Sequence, residues 1–271
     1  MSLAVIRPYF GFTREPFGSG LSPSALHPAA SHSEARARIS YLIETQSLGL
    51  LTGEVGSGKT TALRAAVSEL DPSRHTVIYL PNPAVGIRGL YTEIITCLGE
   101  TPRFQKAALI AQTQELLFRE RVERKRKVVV ICDEAHLIAP AGLEELRLLT
   151  NVEMDSQMPF AGILVGQPEL RRRLRMGSFA ALDQRIALRY EISGMQEAES
   201  REYLVHHLKL AGREDRLFTD DAAELLHERS RGIPRALNNL ALQALVATYA
   251  NNTSMVDRDA AQAAVSEVFG E

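Results

Sequence analysis

Residues 53–60 read GEVGSGKT, a glycine-rich stretch that ends in a lysine and a threonine. It lies between the apolar run LGLL at 48–51 and the helical pattern TALRAAVSEL at 61–70. The form G-x-x-x-x-G-K-[ST] between a strand and a helix predicts a loop whose backbone N–H groups converge on phosphate oxygens. Lys59 then places a positive charge beside the β and γ phosphates, and Thr60 is placed to ligate Mg²⁺. The stretch therefore predicts a site for ATP and Mg²⁺.

Two acids follow a buried apolar strand further along the chain. The sequence VVVICDEAH occupies residues 128–136 and puts Asp133 and Glu134 directly after the strand. Beside a phosphate loop, Asp133 would hold Mg²⁺ and Glu134 would orient and deprotonate the attacking water. The alternative is that the two carboxylates only cap the following turn. Glu134 favours hydrolysis, and we interpret the spelling DEAH as a coincidence of these acids, because the sequence has one nucleotide domain.

Short apolar runs alternate with helical patterns over much of the chain, which is typical of a parallel sheet covered on both faces. Beyond Gly194 only helical patterns follow. We predict an α/β fold, with a parallel-sheet P-loop NTPase domain over residues 35–194 and a small α-helical lid domain over residues 195–271. The predicted strands are Leu48–Leu51, Val77–Leu80, Val128–Cys132, Ala161–Val165 and Ala187–Ile192.

Residues 1–34 are rich in proline, glycine and serine, which predicts an extended N-terminal strap rather than a regular element. Its aromatic side chains predict that the strap packs on the nucleotide domain, with a disordered tail as the alternative. The prolines are Pro8, Pro16, Pro23 and Pro28, and the aromatic residues are Tyr9, Phe10, Phe12 and Phe17.

The composition sets limits on location and partners. The formal charge is −2 and the isoelectric point is near 6.4, so the average charge does not attract nucleic acid, and local patches would have to do so. No run of 18 apolar residues and no signal-peptide order occurs. We expect a soluble cytoplasmic protein without a membrane partner.

Four more polar side chains lie where a nucleotide site can be completed. Gln167, after the fourth predicted strand, would reach the γ-phosphate or cap the next helix. Arg185 and Arg189 are candidates for an arginine finger supplied to a neighbouring subunit, or for ordinary surface ion pairs. Arg235 begins a later helix, where the helix dipole disfavours a bare cation, so a phosphate partner is predicted.

The predicted nucleotide contacts lie in the loop, its flank and the start of that later helix. They are Gly53, Glu54, Val55, Gly56, Ser57, Gly58, Lys59, Thr60, Thr61, Pro234 and Arg235.

The lead-in YFGFTREPF at 9–17 and the stretch GLLTGEVGSGKTTALR at 49–64 resemble the ExeA/GspA-type branch of the AAA+ ATPases. The resemblance covers nearly the whole chain. It implies a homo-oligomeric ATPase with active sites between subunits. The roles that it implies are Lys59, Thr60, Asp133 and Glu134 as the core set, Gln167 as first sensor, Arg185 as finger and Arg235 as second sensor.

The chain also resembles the ATPase regulators encoded beside transposases, the Mu B, TnsC and TniB group, because the sequence shows no membrane span and no cell-wall-binding region like those of the secretion proteins. This resemblance implies a ring or helical filament on duplex DNA, with a transposase and a target-selection protein as further partners. The candidate DNA contacts are Arg88, Arg103 and Lys106, and little sequence specificity is expected. The basic runs 121–127 and 171–175 would contact DNA or form solvated helix faces.

Three functions are considered, and we predict the first of them. The first is an ATP-dependent DNA-binding regulator of transposition. The second is an ATPase that energises secretion or another protein assembly without DNA. The third is a signalling ATPase whose lid binds another protein.

Overall fold

The computed structural model of the chain describes residues 3–18, 21–22, 25–151 and 158–270. These residues form two compact units. The sheet unit comprises Glu34–Val55 and Lys59–Ile192, and the helical unit takes the described residues of Met1–Ser33, Gly56–Gly58 and Ser193–Glu271.

A parallel sheet of five strands forms the centre of the sheet unit, in the order β2-β3-β4-β1-β5. Thr52 pairs with Gly166, and Cys132 pairs with Leu164, so β1, β3 and β4 end at the same edge. The strands are β1 (Leu48–Gly53), β2 (His75–Leu80), β3 (Lys127–Cys132), β4 (Ala161–Gly166) and β5 (Ile186–Ile192). The predicted strands and the α/β P-loop fold are confirmed.

Both faces of this sheet are covered, and β3 illustrates how. Val128 and Val130 pack in one core, whereas Val129 and Ile131 pack in a second core that also contains Leu63. Because side chains alternate along a strand, a strand buried on both faces reads as a continuous apolar run. The helices of this part of the chain are α2 (Ala30–Glu44), α3 (Lys59–Ser68), α4 (Gly86–Cys97), α5 (Lys106–Val122), α6 (Pro140–Leu149), α7 (Pro168–Leu174) and α8 (Ala180–Asp183).

The helical unit contains α1 (Leu3–Tyr9), α9 (Glu197–Leu210), α10 (Asp220–Ser230), α11 (Pro234–Ala250) and α12 (Arg258–Phe269). Side-chain caps fix two of these helix starts: the Thr219 hydroxyl accepts from the Ala222 amide, and the Asp257 carboxylate accepts from the Ala260 amide. Gly232 has φ +66, and a Cβ there would lie 2.1 Å from the Met195 carbonyl oxygen, so only glycine fits.

The N-terminal segment differs from its prediction in two respects. Leu3–Tyr9 is helical rather than extended, and the buried apolar side chains of the segment, Ile6, Phe10, Phe12, Phe17 and Ala29, lie in the core of the helical unit rather than on the nucleotide domain. Ile6 lies in α1, and Phe10 directly follows this helix, its amide donating to the Ile6 carbonyl oxygen at 3.1 Å. The burial of both side chains offsets the helix-breaking tendency of Pro8. Phe12 and Phe17 are buried with them, and Pro23 lies outside the described residues.

Across the described residues, no helix combines the length and the apolar character that a bilayer crossing requires.

A buried histidine makes the helical unit sensitive to pH. His207 is 4% exposed, and its ring lies 5.3 Å from Phe17 and 4.3 Å from Tyr203, measured between ring centroids. Burial, together with the nearby His206 and His27, lowers the pKa of His207 to about 4. The folded unit therefore keeps this imidazole neutral over a range in which the unfolded chain would protonate it.

We expect the helical unit to lose stability as the pH falls from about 6.5 to about 4, because the unfolded state then binds one more proton at His207. The loss at pH 5 is about 2 kcal/mol relative to pH 7. Urea unfolding followed by circular dichroism at both pH values measures it. A His207→Gln variant should lose most of this dependence and a His75→Gln variant should keep it; an unchanged slope in His207→Gln would contradict the assignment.

Candidate active site

The phosphate loop connects the end of β1 at Gly53 to the start of α3 at Lys59. Gly56 has φ +83 and Gly58 has φ +90, in the left-handed region that side-chain-bearing residues rarely adopt. Glycine at these positions lets the loop turn back and present its amides at the helix N-terminus, which is where phosphate groups bind. The local sequence thus builds the concavity that the motif predicts.

Lys59 is held inside this loop. Its side chain is buried, and its Nζ atom donates to the carbonyl oxygens of Gly53 and Glu54, both at 2.9 Å. Two hydrogen bonds to the backbone of the loop fix the ammonium group of Lys59 at the N-terminus of α3. A positive charge so placed complements the phosphates of a nucleotide.

Ser57 gives a direct indication that the loop suits a ligand. Its hydroxyl is buried and makes no hydrogen bond to any other residue that the structure describes. Leaving a buried hydroxyl unpaired costs about 1–3 kcal/mol. Phosphate oxygens can accept such a hydrogen bond, so this group fits the nucleotide that the loop predicts.

Asp133, at the end of β3, is buried and accepts three hydrogen bonds. The Thr60 hydroxyl donates to Oδ2 at 3.0 Å, the Tyr79 hydroxyl donates to Oδ2 at 2.8 Å, and the Glu134 amide donates to Oδ1 at 2.9 Å. A carboxylate beside a hydroxyl is a set of hard oxygen donors, which Mg²⁺ prefers. The predicted pair Thr60 and Asp133 is therefore brought together and fits the metal.

Tyr79 was not predicted as a site residue. Burial and the hydrogen bond to Asp133 raise the pKa of Tyr79 to about 12, so the phenol stays protonated and donates to the carboxylate. Its only sequence signal is its place near the end of β2, the neighbour of β3 in the sheet. That signal becomes specific only when the pairing of the two strands is known.

Glu134 and Gln167 come close to each other through His136. The backbone of Glu134 is left-handed, with φ 49 and ψ 34, and its side chain is 45% exposed. The Oε2 atom of Glu134 lies 3.4 Å from His136 Nδ1, and the Nε2 atoms of His136 and Gln167 are 3.1 Å apart. Gln167 precedes α7 but its side chain makes no capping hydrogen bond, so the helix-capping alternative is wrong.

The two candidate finger arginines are both engaged. Arg185 donates to the Thr150 hydroxyl at 3.1 Å and to the Asn151 side chain. Arg189 pairs with Asp183 at 3.0 Å and also donates to the Ile186 carbonyl oxygen.

Pro234 and Arg235 begin α11, with Pro234 in its first turn. The Arg235 amide donates to the Gly56 carbonyl oxygen at 3.3 Å, and a Cβ on Gly56 would lie 2.6 Å from the Arg235 Cβ atom. Gly56 and Arg235 belong to the same unit, and the exposed Arg235 side chain extends from this contact. Gly56 thus permits a close approach as well as a turn.

The three predicted DNA contacts differ in environment. The Arg88 guanidinium lies over the ring of Phe104, 4.7 Å from its centroid, and Phe104 is 80% exposed. Arg103 is exposed beside them. Lys106 donates to Glu145 at 3.1 Å, and Glu145 is buried, so this lysine has a structural partner.

The basic run 171–175 is also not a uniform solvated face. Arg173 donates to the carbonyl oxygens of His136 and Ile138, and Arg171 pairs with Glu191 at 2.9 Å. Arg172 and Arg175 are exposed. One arginine of this run therefore supports the loop that carries Glu134.

Comparison with known proteins identifies what the chain is similar to. Residues 42–174 match the family model described as AAA domain. General secretion pathway protein A of Aeromonas hydrophila is 34% identical over 267 residues, which is 97% of this chain and 48% of that protein. The chain therefore spans about half the length of this curated relative.

Solved structures share the fold at low identity. The Aeropyrum pernix ORC2 protein, in ADPNP–ADP complexes, has a TM-score of 0.67 at 19% identity, covering 93% of this chain and 71% of that one. The Aeropyrum pernix ORC1 protein in complex with DNA has a TM-score of 0.64 at 14% identity, covering 90% of this chain and 67% of that one. We conclude that the chain has the α/β fold of the P-loop NTPases and that its residues 42–174 are similar to the family described as AAA domain.

Proposed function

We propose that this chain is a homo-oligomeric AAA+ ATPase of the ExeA/GspA-like branch, whose ATP hydrolysis energises the assembly of a protein complex. The observation that carries the proposal is the match to General secretion pathway protein A, because it extends over both units rather than over the phosphate loop alone. The partner implied by that relative's name is a secretion component, and the resemblance to the transposition regulators stays a prediction.

The residues near the phosphate loop have separate roles in ATP hydrolysis. Lys59 binds the β and γ phosphates, and Gln167 orients the γ-phosphate or the attacking water. Thr60 and Asp133 would hold Mg²⁺, which when bound neutralises charge that develops on the phosphate oxygens. Tyr79 fixes the Asp133 carboxylate by its hydrogen bond of 2.8 Å. Glu134 orients the attacking water and accepts its proton.

The remaining predicted contacts surround the phosphates. The amides of Glu54, Val55, Gly56 and Gly58 face the phosphate oxygens, and Thr61 follows Thr60 in the first turn of α3. Pro234 shapes the start of α11, and Arg235 acts as second sensor through its exposed guanidinium. In this proposal, Arg185 leaves its contacts with Thr150 and Asn151 and reaches the γ-phosphate of the neighbouring subunit.

Glu134→Gln should retain ATP binding while lowering turnover by about 10²-fold or more, because the amide cannot accept the proton of the attacking water. Phosphate release measures turnover, and a fluorescent ATP analogue measures binding. Glu169→Gln, at an exposed glutamate in the first turn of α7, is the matched control and should behave as the unmodified protein. Undiminished turnover in Glu134→Gln would refute the role of Glu134 as base.

Arg185→Ala should impair hydrolysis and leave nucleotide binding intact, if the finger is supplied to a neighbour. Mixed with Lys59→Ala, which cannot bind ATP, the inactive Arg185→Ala protein should recover part of its activity. Mixed oligomers contain interfaces with an intact Lys59 on one side and an intact Arg185 on the other. A mixture of Lys59→Ala with Arg189→Ala serves as the comparison. If ATPase activity does not recover in the mixture with Arg185→Ala, a finger supplied in trans by Arg185 is excluded.

A second candidate, the DNA-binding regulator of transposition, is favoured by the surface around Phe104. There an exposed aromatic ring and two arginines, Arg88 and Arg103, lie together, and such groups bind nucleic acid through phosphate contacts and stacking. In this candidate the protein oligomerises on duplex DNA in the presence of ATP and recruits a transposase, with or without a target-selection protein. Lys106 contributes less to DNA binding than the two arginines, because it is paired with Glu145.

Binding to duplex DNA, with and without a non-hydrolysable ATP analogue, separates the two candidates. If the protein is the assembly ATPase, a gel-shift assay or electron microscopy should show no nucleotide-dependent binding to DNA. If it is the DNA-binding regulator, ATP-dependent filaments should form on DNA. Arg88→Ala/Arg103→Ala should then lower the slope of log K for DNA binding against log salt concentration by about 2. Arg172→Ala/Arg175→Ala removes two exposed arginines elsewhere and should leave that slope unchanged.

A further inference from the structure

His136 lies between the two side chains that the proposed mechanism places nearest the reaction. Its ring is 8% exposed, and its two nitrogens face different partners. Nε2 is 3.1 Å from the side-chain nitrogen of Gln167, and Nδ1 is 3.4 Å from Oε2 of Glu134. This histidine is the last residue of DEAH and was not predicted as a site residue.

The contact with Gln167 fixes the proton on the ring. An amide nitrogen is a donor only, so the Gln167 N–H donates and His136 Nε2 accepts. The neutral imidazole then carries its proton on Nδ1, which is the nitrogen that faces the Glu134 carboxylate. Gln167 thus donates to His136, and the proton on Nδ1 faces the Glu134 carboxylate, an acceptor 3.4 Å away.

The surroundings hold the ring in this place. Gly166 has no side chain, and a Cβ there would lie 3.2 Å from the backbone nitrogen of His136 and 3.5 Å from Nδ1. Arg173 donates to the carbonyl oxygens of His136 and Ile138 and so fixes the loop that carries the ring. The imidazole is therefore located by contacts on both sides, whereas the Glu134 side chain is partly exposed and can move.

A purely structural role does not account for Nδ1. This atom is buried, yet it makes no hydrogen bond within the described residues, and its distance to Glu134 is slightly too long for one. A small movement of the Glu134 carboxylate would satisfy it. Because a buried unpaired N–H is unfavourable, the ring attracts the carboxylate toward one position.

We propose that His136 is a positioning residue, which holds the Glu134 carboxylate through Nδ1–H and joins it to Gln167 through Nε2. The inference rests on the proposed roles of Glu134 as base and Gln167 as sensor. His136 itself takes no proton from the water. Its effect is that a change in the position of Gln167 at the γ-phosphate is passed to the base, so hydrolysis is coupled to correct phosphate binding.

Two substitutions separate the two nitrogens of the ring. In His136→Asn the amide nitrogen takes the place of Nδ1 and can still donate to Glu134, while the contact with Gln167 is lost. In His136→Gln the terminal carbonyl oxygen takes the place of Nε2 and can accept from Gln167, while no donor faces Glu134. We expect His136→Gln to lower kcat about 10- to 100-fold with KM unchanged, since a misplaced base slows only the chemical step.

We expect His136→Asn to retain more activity than His136→Gln, and its effect to be non-additive with Gln167→Ala, because both break the same connection. Turnover equal to that of the unmodified protein in both His136 variants, or equal losses in both, would overturn the proposal. Additive effects of His136→Asn and Gln167→Ala would overturn the link to Gln167. His75→Asn, at the opposite end of the strands, controls for loss of a histidine.

Glu134→Gln, measured in the same series, separates this inference from the proposed function. If Glu134→Gln keeps full turnover, the base has been assigned wrongly and the proposed mechanism fails first. If Glu134→Gln is slow while the His136 variants are not, only the role of His136 fails.

The tautomer of His136 tests the proposal in the unmodified protein, and a variant is needed only to assign the signal. In ¹⁵N–¹H spectra of the unmodified protein with the non-hydrolysable ATP analogue, the ring should carry its proton on Nδ1. The signal is assigned by its loss in His136→Asn. A proton on Nε2 instead would overturn the donor to Glu134.

Discussion

Parallel pairing of β1, β3 and β4 is the constraint on which the candidate site depends. The three strands end at one edge of the sheet, and each continues into a segment that carries site residues. Residues that are far apart in sequence, such as Thr60 and Asp133, therefore meet at hydrogen-bond distance. A shift of one residue in register would turn alternate side chains to the other face and would separate them. Burial of both faces of β3 fixes that register.

The part of the site that could be predicted from sequence is the part encoded locally. The phosphate loop is one contiguous motif with a strand before it and a helix after it, and Asp133 and Glu134 directly follow an unbroken apolar run. The strands and the helical second unit were predictable for the same reason, since their periodicity and caps lie within short windows. Tyr79 was not, because its partner Asp133 belongs to another strand.

The structure of the N-terminal segment could not be predicted from its local sequence. Its prolines and glycines argue locally against regular structure, but the apolar residues Ile6 and Phe10 acquire a helical arrangement through burial in a core supplied largely by α9–α12. Tertiary packing outweighs local propensity here. Lys106 is a second case in which a distant residue matters. Its charge suggested a contact with DNA, but it forms an ion pair with Glu145 on another helix.

The two candidate functions would use the same candidate active site and differ in what surrounds it. Asp133, Thr60 and Lys59 would serve a secretion ATPase and a DNA-bound regulator equally well, because both need the same hydrolysis. Discrimination lies in surface features such as the stacked pair of Arg88 and Phe104. The chemistry of the centre is therefore more strongly constrained by its residues than the identity of the partner.

The helical unit is discontinuous in sequence, and this has a consequence for synthesis of the chain. Phe10, Phe12 and Phe17 are synthesised before most of the core that covers them, which extends to Val265. At about 5–20 residues per second, their partners arrive on the order of tens of seconds later. During that interval the sheet unit can fold, whereas these aromatic side chains still lack most of the core that covers them. A C-terminal fragment expressed alone would lack the same side chains and would leave part of its core open to water.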